Sequence, residues 1–288
     1  MNINIDNLSL TYGQTTALTN VSLTLNERKI YGLLGRNGAG KTSLLSIIGS
    51  FREATSGMIT INGEYPFENG NIMQDVNFLY DKNYKDEGSN VRKILASADR
   101  YRPNFDANYA DHLVNLFKLP KDRAVKKFSK GMQSALNVTI GLATKCPITI
   151  FDEVYLGMDA PSRDLFYKEL LKEQERSPRL IILSTHLVLE MDYLFDEVII
   201  LHEGEVLLQE ANDTLLEKAV TVFGQANLVD EFTQTKRIIH EEKLGGAKSA
   251  TIFDPLTEAE QQIASEKGLE LSNITLNELF IYLTKETR

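Results

Sequence analysis

"LGRNGAGKTS", residues 34–43, is the stretch that decides how this chain is read. It follows the apolar run "KIYGLLG" and runs into "KTSLLSIIGSF", so a buried strand feeds a glycine-rich loop and the loop feeds a helix. Gly35, four residues, Gly40, Lys41 and Thr42 have the spacing of a phosphate-binding loop. Backbone N–H groups must converge on an anion there with no side chain in the way, and the following helix adds the positive end of its dipole. The candidate nucleotide cradle is therefore Gly35, Arg36, Asn37, Gly38, Ala39, Gly40, Lys41, Thr42 and Ser43. Lys41 is placed to reach the β- and γ-phosphates and the Thr42 hydroxyl to join a Mg2+ shell. The loop by itself does not separate a kinase, a GTPase, a repair motor and a transport engine.

A phosphate loop needs an acidic partner at the end of another buried strand, and "ITIFDE", residues 148–153, supplies one. Ile148, Ile150 and Phe151 lead to Asp152, the candidate for the Mg2+ shell, and then to Glu153, the candidate to orient or activate an attacking water. Two successive carboxylates beside a core are costly unless a cation or a polarised water meets them.

The rest of the chain constrains the class of protein. Its 288 residues suffice for one large domain with an appendage, or for two domains. A formal net charge of −9 argues against a surface built to coat nucleic acid or anionic lipid. The single cysteine, Cys146, forms no internal disulfide, fits a reducing compartment, and reads as a small buried residue. No stretch reaches the roughly 18–20 apolar residues that span a bilayer. "MNINIDNLSL" lacks the regions of a signal peptide. The protein is expected in the cytosol, with any membrane role arising through a partner.

The first thirty residues alternate with a period near two, as half-buried antiparallel strands do. "SGMITINGEYPF" reads as a hairpin turning at Asn62-Gly63. From about 83 to 143 the pattern is helical, with Val91, Ile94, Leu95 and Ala98 on one face and Leu113, Leu116 and Phe117 on another, all read as core. Strands "PITIFDE", "LIILS" and "EVIIL" then alternate with helices "SRDLFYKELLKEQER" and "LVLEMDYLF", which implies a mostly parallel sheet with helices on its faces. Past about residue 216 come short strands ("TVFG", "KRIIHEE", "SATIFD") and two helices ("TEAEQQIASEKG", "TLNELFIYLTKE").

"FSKGMQ", residues 128–133, lies between the loop and "IFDE" and resembles the signature sequence of ATP-binding cassette (ABC) ATPases, usually written LSGGQ. Ser129 and Gly131 match, while Phe128, Lys130 and Met132 depart from it. "LGMDA" resembles the family's D-loop and puts Asp159 at its aspartate; "LSTH" puts His186 at its switch histidine, which contacts the γ-phosphate. Tyr12, in "TYGQTTAL", matches the aromatic that stacks on adenine, and "DEVIILHEGEVLLQE" is similar to the strand and hairpin after the switch. The family's Q-loop glutamine is replaced: "VNFLYD" offers Asp81. Aspartate can accept from a water on Mg2+, but it is shorter and cannot donate as an amide does. Val154 and Tyr155 replace a common Pro-Thr, and Tyr155 is expected to pack at a dimer interface without a chemical role.

The resemblance covers roughly residues 1–215, and the tail is similar to the C-terminal extensions of bacterial exporter ATPases, nearest to the YtrB-like group. It implies an α/β P-loop NTPase fold: a mixed sheet core, an antiparallel β-subdomain and an α-helical subdomain at about 83–143. A small α+β extension over 216–288, dimerising or regulatory, would follow. It implies Mg2+ and ATP, with ATP sandwiched between the loop of one protomer and Ser129 and Gly131 of its partner. Hydrolysis would use Glu153, His186 and Lys41, and the metal would be held by Thr42, Asp81 and Asp152. The implied role is the ATPase of an exporter at the inner face of the membrane. It would contact separate permease subunits, pair with itself or with a second ABC ATPase, and bind no nucleic acid. Drugs or antimicrobial and amphipathic peptides are the expected cargo. A soluble ABC ATPase acting on ribosomes or DNA is the alternative, but such proteins carry two cassettes or long coiled-coil insertions, and this chain has one phosphate loop.

Overall fold

The computed structural model describes residues 1–82 and 84–285. Its N-terminal alternation becomes β1 (Ile3–Tyr12) and β2 (Thr15–Leu25), followed by β3 (Ile30–Leu34), α1 (Lys41–Ile48) and β4 (Ser56–Ile61). Strand β1 lies between β2 and β4, antiparallel to both. Ile3, Ile5, Leu8 and Leu10 point to one face and are buried, while the residues between them stay largely in water.

The expected hairpin at Asn62-Gly63 is only partly formed. Both residues have positive φ, as a two-residue turn requires, yet only the single bridge Ile61–Glu64 follows. Pro66 lacks the N–H that a continuing ladder needs, and β4 pairs with β1.

Helix α2 (Gly70–Met73) and β5 (Val76–Leu79) lead to α3 (Val91–Tyr101), α4 (Ala107–Leu116) and α5 (Lys130–Ala143). Then come β6 (Ile148–Asp152), α6 (Ala160–Arg176), β7 (Leu180–Thr185), α7 (Val188–Met191), β8 (Glu197–His202) and β9 (Glu205–Ala211). They build a six-stranded sheet in the order β5-β6-β7-β3-β8-β9, parallel from β5 to β8, with β9 folding back through the Glu203-Gly204 turn. Its central strands read as unbroken apolar runs because helices cover both faces, and β3, β6 and β7 are buried at every position. Each such aliphatic side chain contributes roughly 1.5–3 kcal/mol. The sheet brings the C-terminal ends of β3, β6 and β7 side by side, with Leu34 opposite Thr185 and Asp152 opposite Ser184. The candidate site is assembled at that edge.

A second compact unit comprises residues 210–288 and the segment 187–192. It contains α8 (Asn212–Glu217), β10 (Ala219–Gln225), α9 (Ala226–Thr233), β11 (Ile238–Leu244), β12 (Ala247–Phe253), α10 (Glu258–Glu266), β13 (Glu270–Asn273) and α11 (Leu276–Leu283). The β10-α9-β11-β12-α10-β13 run forms an antiparallel sheet in the order β11-β12-β10-β13, the split βαβ arrangement of ferredoxin-like domains. Val222, Ala250 and Ile252 of the sheet pack with Val229 and Ala264 of its helices into a separate small core. Helices α8 and α9 and strand β13 were not evident in the sequence. Asn83, at the start of the expected helical segment, and Glu286, at the end of the expected last helix, lie outside the described residues.

Candidate functional site

The phosphate loop is shaped by its glycines. Gly40 has φ 103° and caps α1 in the left-handed region, and a Cβ there would stand 2.7 Å from the Ala17 carbonyl oxygen. Only glycine meets both conditions. Loop and helix start line a cleft of about 240 Å³, with Lys41, Thr42 and Ser43 along the helix, Asn37 to Gly40 along the loop, and Glu153 opposite.

Lys41 is buried, and its ammonium donates to the carbonyls of Gly35 at 2.7 Å and Arg36 at 3.3 Å. Its Nζ also lies 3.5 Å from Glu153 Oε1. The same Glu153 oxygen is 3.0 Å from His186 Nδ1. Glu153 thus bridges the phosphate lysine and the histidine at the end of β7. Its backbone has φ 53°, which for a glutamate costs on the order of 1–3 kcal/mol and persists where the surroundings over-determine it. That turn swings the carboxylate out of the sheet and over the loop.

Asp152, one residue earlier, stays buried at the strand end. Its Oδ2 accepts from the Thr42 hydroxyl at 2.8 Å, while its Oδ1 is buried without a hydrogen-bond partner. Burial pushes this carboxyl above the usual carboxylate range, against the pull of the Thr42 and Ser184 hydroxyls. A hydroxyl and a half-satisfied buried carboxylate facing one another make a hard-oxygen donor set of the kind Mg2+ takes beside phosphates. These residues fit the ion.

Tyr12 closes the far side: its phenol lies 3.3 Å from Ser43 Oγ and its ring remains 37% exposed, available to a base. The Arg52 guanidinium sits 4.7 Å from the ring centroid, a cation–π contact that the motif reading had not included. Ala17 also lines the cleft, brought there by the β2 backbone that excludes a side chain at position 40.

The other sequence-derived residues group elsewhere. Ser129 is the N-cap of α5, its Oγ accepting from Met132 N at 3.3 Å. A Cβ on Gly131 would stand 2.9 Å from the Gly157 carbonyl oxygen, so the signature helix and the loop before α6 pack backbone to backbone. Asp159 caps α6 by accepting from Ser162 N at 3.0 Å, and the Ser162 hydroxyl first, then its N–H, holds the carboxyl below the usual range. Ser129, Gly131 and Asp159 do not line the cleft. Asp81 does not line the cleft either: its carboxylate is ion-paired with Lys130, the first residue of α5. Both residues depart from the family pattern, and they meet one another.

Tyr155 corrects an expectation. It is fully buried rather than surface-packed, its ring against Phe166 and Tyr167 and its hydroxyl donating to the Ser184 carbonyl at 2.8 Å. The spacing of the motif gave no sign of this, because the partner lies on another strand.

The family model described as ABC transporter matches residues 18–155. The ABC transporter ATP-binding protein NatA of Bacillus subtilis is 31% identical over 218 residues, covering 70% of this chain and 84% of that protein. The chain belongs to the ABC transporter ATP-binding family. ABC relatives also include the ATP-binding protein YtrB of Bacillus subtilis, 24% identical over 76% of this chain and 75% of that one. The lantibiotic transport ATP-binding protein SrtF of Streptococcus pyogenes is 29% identical over 73% and 91%. Among solved structures, an ATP-binding subunit of an ABC transporter matches with a TM-score of 0.67 at 22% identity, over 75% of this chain and 92% of that one. A dimeric, post-hydrolysis ATP-binding cassette bound to ADP and Pi matches with a TM-score of 0.62 at 20% identity, over 73% and 98%. The P-loop fold is that of an ABC cassette, and the chain is an ATPase of this family.

Proposed function

We propose that this protein powers a membrane ABC exporter by hydrolysing ATP in a composite site between two ATPase subunits. The observation that carries the reading is the division of its site residues into two groups. Lys41, Thr42, Ser43 and Glu153 line the cleft and Tyr12, Asp152 and His186 each bond to one of them, whereas Ser129, Gly131 and Asp159 stand at helix starts that do not line it. The α5 N-terminus directs its N–H groups and dipole outward from Ser129, an anion site for the γ-phosphate of a nucleotide held by another subunit. ATP then joins the protomers as it completes the site.

In that complex the loop amides and Lys41 hold the phosphates, and Tyr12 stacks on adenine. Thr42 and Asp152 hold Mg2+, which when bound offsets phosphate charge. Asp81 enters that shell only by leaving Lys130. Glu153 accepts from the attacking water and orients it in line, while His186 donates toward the γ-phosphate oxygen. Catalysis of this kind is mostly positioning and charge stabilisation, as the rigidly turned Glu153 serves.

The partners are integral permease subunits, and the dimer forms with a second copy or with another ABC ATPase. Among the described residues no helix is long and apolar enough to cross a membrane, in keeping with a subunit held at the cytoplasmic face by its permease. The transport names of relatives such as SrtF support amphipathic peptides or drugs as cargo. Residues 216–288 are a candidate dimerising or regulatory module. Affinity purification from membranes tests the role: a polytopic membrane protein should co-purify, and recovery of ribosomes or DNA in its place would overturn it.

A further inference from the structure

We propose that Tyr155 is a positioning residue for the Glu153–His186 pair, a deepening that rests on the hydrolytic reading of Glu153. The two carboxylate and imidazole groups come from different strands. Glu153 follows the last residue of β6 and His186 follows the last residue of β7, and the ladder between these strands ends at Asp152 and Ser184. Beyond that pair the chain at Glu153 turns out of the sheet with positive φ, so strand pairing no longer sets the distance between the two side chains.

Tyr155 restores the tie. Its hydroxyl donates to the Ser184 carbonyl at 2.8 Å, joining a position two residues after Glu153 to one two residues before His186. The phenol is held at its own end as well. Its ring is fully buried, stacks on Phe166 at 5.8 Å between centroids and meets Tyr167 edge-on at 6.0 Å, both on α6. The turn is closed by Leu156 N donating to Glu153 O at 3.2 Å and Met158 N donating to Tyr155 O at 3.0 Å. Burial raises the phenol well above its ordinary range, so it remains a donor throughout the working pH range. Glu153 and His186 therefore hang from two backbone segments that the Tyr155 hydroxyl ties together, with their reactive atoms 3.0 Å apart. Misplacing such a pair by about an ångström costs roughly 10- to 100-fold in rate.

The test is Tyr155→Phe in the full chain, which keeps the ring and removes only the hydrogen bond. Steady-state ATP hydrolysis, its pH profile and thermal unfolding are measured together, with Glu153→Gln run beside it. The expected result is a kcat lowered about ten-fold or more with KM for ATP within about two-fold, and a shifted pH–rate profile. An unchanged kcat in a variant that merely melts earlier would overturn the proposal, as would a rise in KM that accounts for the whole loss. Full turnover in Glu153→Gln would instead contradict the underlying assignment of Glu153, and is read independently of Tyr155.

Discussion

Glu153 holds together the chemistry of the cleft. One of its carboxylate oxygens lies 3.5 Å from the Lys41 ammonium and 3.0 Å from His186 Nδ1, so a single side chain links the lysine proposed to hold phosphate to the histidine proposed to contact it. On that proposal, ATP draws Lys41 away from the carbonyls of Gly35 and Arg36, exchanging these contacts for charge-assisted ones. Lys41→Ala removes that exchange. Hydrogen bonds to charged groups are worth about 1.5–3 kcal/mol, so ATP affinity should fall roughly 10- to 100-fold in an equilibrium titration. Retained affinity would show that the loop amides alone bind the nucleotide. Asp81 and Lys130 illustrate a different kind of pair. Both are more than half exposed, so the bond between them contributes little to stability, about 0–1 kcal/mol, and its interest lies in tying the segment after β5 to the start of the signature helix.

The parallel strands and the phosphate loop were legible in the sequence because burial on both faces leaves an unbroken apolar run, and because a glycine spacing encodes backbone geometry directly. Pairings between distant segments were not. Tyr155 and Ser184, or Asp81 and Lys130, carry no mark in their own neighbourhoods of the partner they meet. Pro66 did carry a mark, the missing N–H that stops the hairpin after Asn62-Gly63, but the turn dipeptide outweighed it in the reading. Helices α8 and α9 are only six and eight residues long, too short to stand out as separate periodic segments, and α9 packs its apolar face, Val229 with Leu228 and Phe232, into the small core of the sheet. Helix α10 is an element whose start is encoded locally, Thr257 and Glu260 forming a reciprocal capping box, and distant Lys236 also pairs with Glu260. The Lys236 contact first, then the Thr257 bonds, lower the Glu260 carboxyl from 4.5 to about 2. A depressed carboxylate stabilises the folded state above its unfolded pKa and loses that contribution as pH falls, here between about 4.5 and about 2. Glu260→Gln keeps a capping side chain but abolishes the titration. The stability lost between pH 5 and pH 2.5, followed by circular dichroism in urea, should therefore be smaller in the variant than in the parent; an equal loss in both would show that solvent screens the pair.

At the scale of the whole molecule the proposed composite site divides the residues: Lys41, Thr42, Ser43 and Glu153 line the cleft, while Ser129, Gly131 and Asp159 do not and are assigned by that proposal to a second subunit. Turnover per subunit should rise with protein concentration until dimers saturate, so a specific activity that is flat from nanomolar to micromolar would mean that one chain suffices. The ferredoxin-like unit has its own core, and within it α7, from the segment 187–192, packs against α11. The decisive measurement is ATP hydrolysis and sedimentation of Glu153→Gln with Mg–ATP. Hydrolysis should be lost while ATP drives the protein into stable dimers; undiminished turnover, or a monomer at saturating ATP, would contradict a composite site in which Glu153 activates the water.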